Sequence, residues 1–240
     1  MTKFSRRSRR RSHPSARRAI ISSTSNSPAS EAYRALRTAV RSASDTPPRL
    51  ILVTSPLSGE GKSVTCANLA MVMQAAGQQV AVLDADLRLP SQADIWQVTP
   101  RDYVPTVLQG WGEDPARVLA LGTEIMPGLT LFSPGTDAVA RPAEVVSSQG
   151  FADLLELLDA SFDVVIVDSP PVALVTDAAV LAGLVDGVLL VLDSAQPRRR
   201  VAQRAVRSLR QVGAPLIGVV LNRAPARSVE ATYGYGARIQ

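Results

Sequence analysis

The sequence predicts an α/β domain built on a mostly parallel β-sheet with helices on both faces. Three observations carry this. Apolar runs of strand length, such as "LILVT", "VAVLD" and "VVIVD", are continuous rather than alternating, which marks strands buried on both sides. Segments of helical length separate them, so strands alternate with helices and run parallel through crossovers. Apolar residues make up 46% of the 240 residues, enough for one domain with a sizeable core.

Residues 1–26 are low in complexity and are expected to form a disordered arm. "MTKFSRRSRRRSHPSARR" holds eight basic residues and no acidic one, against a net charge of +5 for the whole chain, so the body is mildly acidic. The arm reads as a solvated tail or as a contact with an anionic membrane surface, at about 1 kcal/mol per basic residue near the lipid. Nucleic acid ranks lower as a partner, because few aromatic residues accompany the arginines.

"SEAYRALRTAVRSA" predicts a helix from about Ser30, with Ser30 as its cap. Tyr33, Leu36 and Val40 fall on one face, and Glu31, Arg34, Arg37 and Arg41 on another; "DTPPR" ends the helix. "LILVTS" is a strand running into a glycine loop, and "KSVTCANLAMVMQAAG" an amphipathic helix ending at Gly77. "QVAVLDAD" is a strand. Residues 87–127 read as irregular, apart from a short helix near Val104–Gln109. Then follow a strand in "LTLFSPG", a helix in "FADLLELLDAS", a strand in "DVVIVDSPP", a helix in "DAAVLAGLV", a strand in "GVLLVLD", a helix in "RRRVAQRAVRSLRQVG" and a strand in "LIGVVLN". The six arginines of the penultimate element read as a solvated face. The expected division is a basic arm over 1–26, a domain over 27–224 and a flexible tail over 225–240.

Composition narrows the function. The longest apolar runs are too short to span a bilayer, and no apolar region of a signal peptide follows the basic N-terminus. Cys66 is the only cysteine, so no intrachain disulfide forms, which suits a reducing cytosol. His13 is the only histidine and lies in the polar arm, which disfavours a histidine zinc site or histidine acid–base catalysis. A cytoplasmic protein is expected.

Chemistry enters at "VTSPLSGEGKS". A phosphate-binding loop needs backbone N–H groups converging on an anion ahead of a helix N-terminus. Gly59 and Gly61 permit the tight turn, Lys62 reaches the outer phosphates, and the Ser63 hydroxyl suits a magnesium ion. Ser58 to Val64 are the expected nucleotide-binding residues. Pro56 stands where G-x-x-x-x-G-K-[ST] opens on glycine; that position eases the strand exit and supplies no phosphate donor. Asp84, Asp86 and Asp168 follow apolar strands, at the sheet edge where such folds bind ligands. Three carboxylates beside a lysine and a serine suit magnesium and a triphosphate. The fold class is therefore α/β and P-loop NTPase-like, with Lys62 expected to point into solvent-filled space.

"SPLSGEGKS", "VAVLDADLRLP" and "DVVIVDSPP" resemble the Walker A, A′ and B motifs of bacterial tyrosine kinases (BY-kinases), which act in capsule and exopolysaccharide synthesis. The resemblance runs from about Ser27 to Asn222. It implies an ATP- and Mg2+-dependent protein-tyrosine autokinase. In it, Lys62 and the loop amides hold the phosphates, while Ser63, Asp86 and Asp168 hold the metal. Asp84 orients or deprotonates the tyrosine hydroxyl, a role it could exchange with Asp86. "SEAYRALRTAV" is similar to the family's E-x-x-R-x-x-R helix, which implies that Glu31, Arg34 and Arg37 join subunits into a ring. "GVVLN" resembles the last core strand, which implies that Asn222 contacts the base. The family's P-N-P-x-E segment appears here as "ARPAEVV". The family ends in several tyrosines, whereas this chain ends "ATYGYGARIQ", so Tyr233 and Tyr235 are the implied phosphoacceptors. With no membrane-spanning helix, the chain resembles members whose membrane adaptor is a separate protein. The alternative relatives are Min- and Par-type ATPases, switches that control assembly without phosphorylating tyrosine. Their extra early lysine is replaced here by Leu57, and they lack the upstream E-x-x-R-x-x-R helix.

Overall fold

The computed structural model describes residues 27–224 apart from 111, 113, 136, 137 and 197, so the basic arm with His13 and the tail with Tyr233 and Tyr235 lie outside the described residues. Seven strands form one sheet: β1 (Leu50–Thr54), β2 (Val80–Asp84), β3 (Thr123–Met126), β4 (Leu129–Phe132), β5 (Val164–Asp168), β6 (Gly187–Asp193) and β7 (Leu216–Asn222). Their order is β3-β4-β2-β5-β1-β6-β7. Every neighbouring pair is parallel except β3 with β4.

Successive strand side chains point to opposite faces, so a run that is apolar throughout builds two cores. Leu50, Leu52, Val165, Val167 and Leu190 face one side. There they meet Phe151, Leu154 and Leu158 of α7 (Gln149–Ser161), Leu181 of α8 (Asp177–Ala182) and Leu209 of α9 (Arg199–Gln211). Ile51, Val53, Val82, Ile166 and Val191 face the other side, against Leu69 and Met73 of α2 (Lys62–Gln74) and Val40 of α1 (Pro28–Arg41). Each fully buried Val, Leu, Ile or Phe contributes roughly 1.5–3 kcal/mol.

Several local readings change. The N-cap of α1 is Ser27, whose Oγ accepts the Ser30 N–H at 3.2 Å, and Pro28 opens the helix. Proline suits a first turn because its missing N–H would have had no partner there; Ser30 is instead a buried residue of that turn. Helix α2 is not amphipathic: Thr65 to Met73 are buried without interruption, because the sheet covers one side and α1 the other. It ends at Gln74, with Gly77 at φ +88° in the turn beyond. The region read as irregular contains α3 (Gln92–Trp96) and α5 (Pro115–Leu119) as well as the expected α4 (Val104–Gln109), and closes with β3. "ARPAEVV" becomes the short helix α6 (Pro142–Val146), opened by proline. No helix among the described residues is long and apolar enough to cross a membrane.

The strand order positions the site. Central β1 carries the glycine loop at its C-terminal end, with β5 and then β2 on one side and β6 and then β7 on the other. Asp168 ends β5 and Asp84 ends β2 on the same edge, in register with each other. This is the crevice that open α/β sheets use for ligands.

Candidate active site

The loop between β1 and α2 owes its turn to two glycines. Gly59 has φ +85° and Gly61 φ +98°, values that side chains disfavour. Gly61 is the N-cap of α2, and no side chain caps that helix, so its first-turn N–H groups are left to an anion. Pro56 is accommodated inside the turn: Ser55 Oγ donates to the Leu57 carbonyl at 2.7 Å, and Leu57 N–H donates to the Glu60 carboxylate at 2.9 Å. Burial raises the Glu60 pKa, and the Leu57 N–H opposes that shift.

Asn222, at the end of β7, lies against the back of this loop and is not among the residues lining the main cavity. Its Nδ2 donates to the Glu60 carbonyl at 2.9 Å, and a Cβ on Gly61 would stand 1.9 Å from that nitrogen. Gly61→Ala therefore meets a positive φ and a collision together. We expect it to weaken nucleotide binding at least tenfold, the equivalent of about 1.4 kcal/mol, as read by titration with a fluorescent ATP analogue.

The lysine does not project into solvent. Lys62 is buried, and its Nζ lies 2.7 Å from Asp86 Oδ2, 3.4 Å from Asp168 Oδ1 and 3.1 Å from Ser63 Oγ. Burial alone would lower its pKa, but the Asp168 and Asp86 charges outweigh it and hold the ammonium above its usual value. Asp168 Oδ2 accepts from Gln92 Nε2 at 2.8 Å, and Asp86 Oδ1 from the Leu89 N–H at 3.1 Å.

Asp84 is placed differently from the expectation that it meets the acceptor hydroxyl. It is fully buried, and its oxygens accept the N–H groups of Asp86, Ser91 and Gln92 at 3.2, 2.9 and 2.9 Å. Burial, and then the Asp168 charge, push its carboxyl well above the ordinary carboxylate range, against those donors and the Lys62 charge. It fixes the course of the chain after β2, while Asp86 borders the cavity.

The donor set suits magnesium. Three hard oxygens, from Ser63, Asp86 and Asp168, converge on one cation, the Lys62 ammonium. Among the described residues no group of three His, Cys, Asp or Glu side chains forms a metal cage. Mg2+ does not need one, since it takes one or two carboxylates and keeps water and phosphate oxygens for the rest.

A cavity of about 600 Å³ opens over this cluster. Ser58, Gly59, Gly61, Lys62, Ser63 and Val64 form its loop wall. The opposite wall comes from the segments after β2 and β5. A second, polar cavity of about 260 Å³ lies toward β6 and β7, bordered by Glu60, Asp193, Arg198 and Arg223. Glu60 and Asn222 thus belong to the far side of the loop. Glu31, Arg34 and Arg37 lie away from both cavities on α1: Glu31 pairs with Arg34 at 2.6 Å, and Arg37 donates to the Val72 carbonyl of α2 at 2.9 Å. Tyr233 and Tyr235 lie outside the described residues.

Sequence reasoning missed three groups. Gln92 is fully buried and joins Asp168 to the Ser63 carbonyl, at 2.8 and 3.0 Å. Tyr103 donates its hydroxyl to the Asp84 carbonyl at 2.9 Å. Arg88 grips Asp177 with two nitrogens, at 2.8 and 3.2 Å. Only Arg88 left a signal, a basic residue two positions beyond Asp86.

The profile of the family described as "ParA: NUBPL iron-transfer P-loop NTPase" matches residues 47–232. The tyrosine-protein kinase YwqD of Bacillus subtilis is 33% identical over 207 residues, covering 86% of this chain and 85% of YwqD. The putative tyrosine-protein kinase EpsB of Ralstonia nicotianae is 31% identical over 88% of this chain, which spans 27% of EpsB. The crystal structure of the chimerical protein CapA2B2 superposes with a TM-score of 0.74 at 31% identity, over 83% of this chain and 87% of that one. The kinase domain of the Escherichia coli tyrosine kinase ETK gives 0.74 at 26% identity, over 96% and 89%. A glycine loop with positive φ at Gly59 and Gly61, a lysine held by the A′ and B carboxylates, and these relatives agree: the chain belongs to the bacterial tyrosine kinases, on the P-loop NTPase fold.

Proposed function

We propose that the chain is an ATP- and Mg2+-dependent tyrosine autokinase of capsular or exopolysaccharide synthesis, and that it phosphorylates Tyr233 and Tyr235 in trans within an oligomer. The observation that carries this reading is the convergence of Ser63, Asp86 and Asp168 on the Lys62 ammonium beneath an open cavity. The loop amides and the α2 N-terminus bind the phosphates. Lys62 exchanges its carboxylate partners for phosphate oxygens. Ser63 and Asp168 would hold Mg2+, with Asp86 reaching it through water, and the ion would neutralise charge on the transferring phosphoryl group. The base lies toward Asn222 and Arg223, on the β7 side. Asp86, which borders the cavity, orients the tyrosine hydroxyl and takes its proton. The bond from tyrosine oxygen to the γ-phosphorus forms as the bond to the β–γ bridging oxygen breaks, and ADP leaves.

In this reading the ring is joined through α1, a separate membrane adaptor recruits the chain from the cytoplasm, and the basic arm adds contact with anionic lipid. Nucleic acid ranks below lipid as the arm's partner. Phosphorylation adds up to about −2 charge per tyrosine at neutral pH, which weakens tail docking and loosens the ring.

The deciding experiment is a phosphotyrosine blot with light scattering, before and after Mg·ATP. The Tyr233→Phe, Tyr235→Phe variant is expected to lose most phosphotyrosine, still hydrolyse ATP and stay oligomeric, while the parent drifts toward monomer. A parent that hydrolyses ATP but never gains phosphotyrosine, with or without an adaptor segment, favours the assembly switch instead.

The α1 geometry refines the ring test. Arg37 anchors α1 to Val72, so replacing it disturbs the subunit itself. The Glu31–Arg34 pair is more exposed, and exposed pairs contribute little to a fold. Arg34→Ala is therefore expected to lower the oligomer mass while lowering the melting temperature less than Arg37→Ala does. Unaltered mass would remove Arg34 from the interface.

A further inference from the structure

The main cavity has walls well beyond the glycine loop. From the glycine loop it reaches the segments after β2 and β5, where Leu89, Ile95, Pro171, Leu174 and Val175 line it beside Arg88 and Ser91. Leu89 and Leu174 are 69% and 57% exposed. Isolated exposed leucines mean little; here two line, with other apolar residues, a cavity that also reaches Asp86 and Lys62. The polar cavity shares Ser58, Gly59 and Arg223 with the main one but none of Leu89, Ile95, Leu174 or Val175, so a base placed on the β7 side leaves those residues uncovered in the proposed reading. Asp86 is only 3% exposed, so a hydroxyl meeting it must reach inward past this apolar wall.

We propose that this apolar end receives the phenol ring of the acceptor tyrosine, and that Leu89 and Leu174 set the preference for an aromatic hydroxyl over serine or threonine. The inference rests on the tyrosine-kinase reading and specifies its acceptor site. A flat ring lies against leucine and proline and carries its hydroxyl down to Asp86. A serine hydroxyl sits one carbon from its backbone, and reaching Asp86 would draw polar main chain into an apolar cleft without partners, which is costly. Tyr233 and Tyr235 each have a glycine on the C-terminal side, leaving one flank slim enough to enter. Arg88 is the positioning residue. Its two hydrogen bonds to the buried Asp177 tie the segment bearing Leu89 to the N-terminus of α8, just beyond Leu174, and so fix the width of the cleft.

The test uses the full chain with Mg·ATP and a synthetic peptide of residues 228–240, alongside the same peptide carrying Tyr233→Ser and Tyr235→Ser. The Leu89→Ala, Leu174→Ala variant is expected to lose about tenfold or more in kcat/KM for the tyrosine peptide, through KM, and to narrow the tyrosine-to-serine preference. Its affinity for a fluorescent ATP analogue should stay within about twofold of the parent, a change of under 1 kcal/mol. Leu89→Met with Leu174→Met should restore most of the loss, because methionine keeps the apolar volume. An unchanged peptide KM overturns the inference. So does an equal loss of nucleotide affinity, which would make the leucines part of the nucleotide site, or a change of oligomer mass with intact peptide KM, which would make them a contact between copies. A parent that binds nucleotide yet phosphorylates no tyrosine removes the kinase reading itself, and the acceptor site with it.

Discussion

Lys62→Met is expected to reduce phosphotyrosine formation by roughly a hundredfold or more, the scale of losing one charge that stabilises a transferring phosphoryl group. It should also cost stability, because Lys62 is the buried counter-charge of Asp86 and Asp168. Removing one partner of a buried ion pair typically costs about 3–5 kcal/mol. Here Asp168 keeps Gln92 and Asp86 keeps the Leu89 N–H, so the lower end applies. The folded-state pKa of Lys62 is raised, so the contribution of the pair is complete below the unfolded value of about 10.4 and is lost only as pH climbs beyond it. Urea unfolding of the nucleotide-free protein at pH 8, where Lys62 is fully charged, should therefore show this deficit. Lys62→Arg should recover much of the stability and little of the activity, since a guanidinium retains the charge but not the shape of an ammonium. Full stability in Lys62→Met would mean that the inward lysine has no structural part.

Asp84→Ala and Asp86→Asn should separate in kind. The first leaves the N–H groups of Asp86, Ser91 and Gln92 without their acceptor, at about 1–3 kcal/mol for each buried orphan. Part of that is offset, because a carboxylate pushed well above its ordinary pKa by burial is itself costly to hold ionised. A net loss of about 2–4 kcal/mol is expected, with activity falling in proportion to misfolded protein. Asp86→Asn keeps an acceptor for Leu89 and leaves Lys62 with Asp168, but turns its amide nitrogen toward the ammonium, so a loss of about 1–3 kcal/mol is expected. Its phosphotransfer should fall about 10²–10⁴-fold. Equal activity losses at matched stability would mean that Asp84 also acts on the acceptor.

The parallel sheet was legible in the sequence because strands buried on both faces have no polar positions, as "VVIVD" shows. The glycine loop was legible because positive φ admits few residues other than glycine. Helices α3, α5 and α6 span five residues each, too short to show a 3.6-residue period. Strand β3 was missed because it is a half-buried four-residue edge piece that pairs with β4 through a tight turn at Gly128, a hairpin inside an otherwise crossover-built sheet. Within the site, residue types were readable and directions were not. Nothing in "DAD" says that the first carboxylate turns back onto three amides while the second borders the cavity. A lysine at the head of a helix that is buried nearly all round does not reveal that it folds onto acids 24 and 106 positions away.

The central place of β1 has a consequence for synthesis. The strand that carries the glycine loop pairs with β5 and β6, both encoded in the later half of the chain. While the ribosome is still making that half, Leu50–Thr54 has neither neighbour. At about 5–20 residues per second the wait is on the order of ten seconds. Nucleotide cannot hasten this stage, because the carboxylate of β5 that helps complete its site arrives with the missing strand. Prematurely terminated products ending before Val164 would carry an apolar strand with two open edges and no ligand to steady it, and chaperones would meet them as sticky fragments.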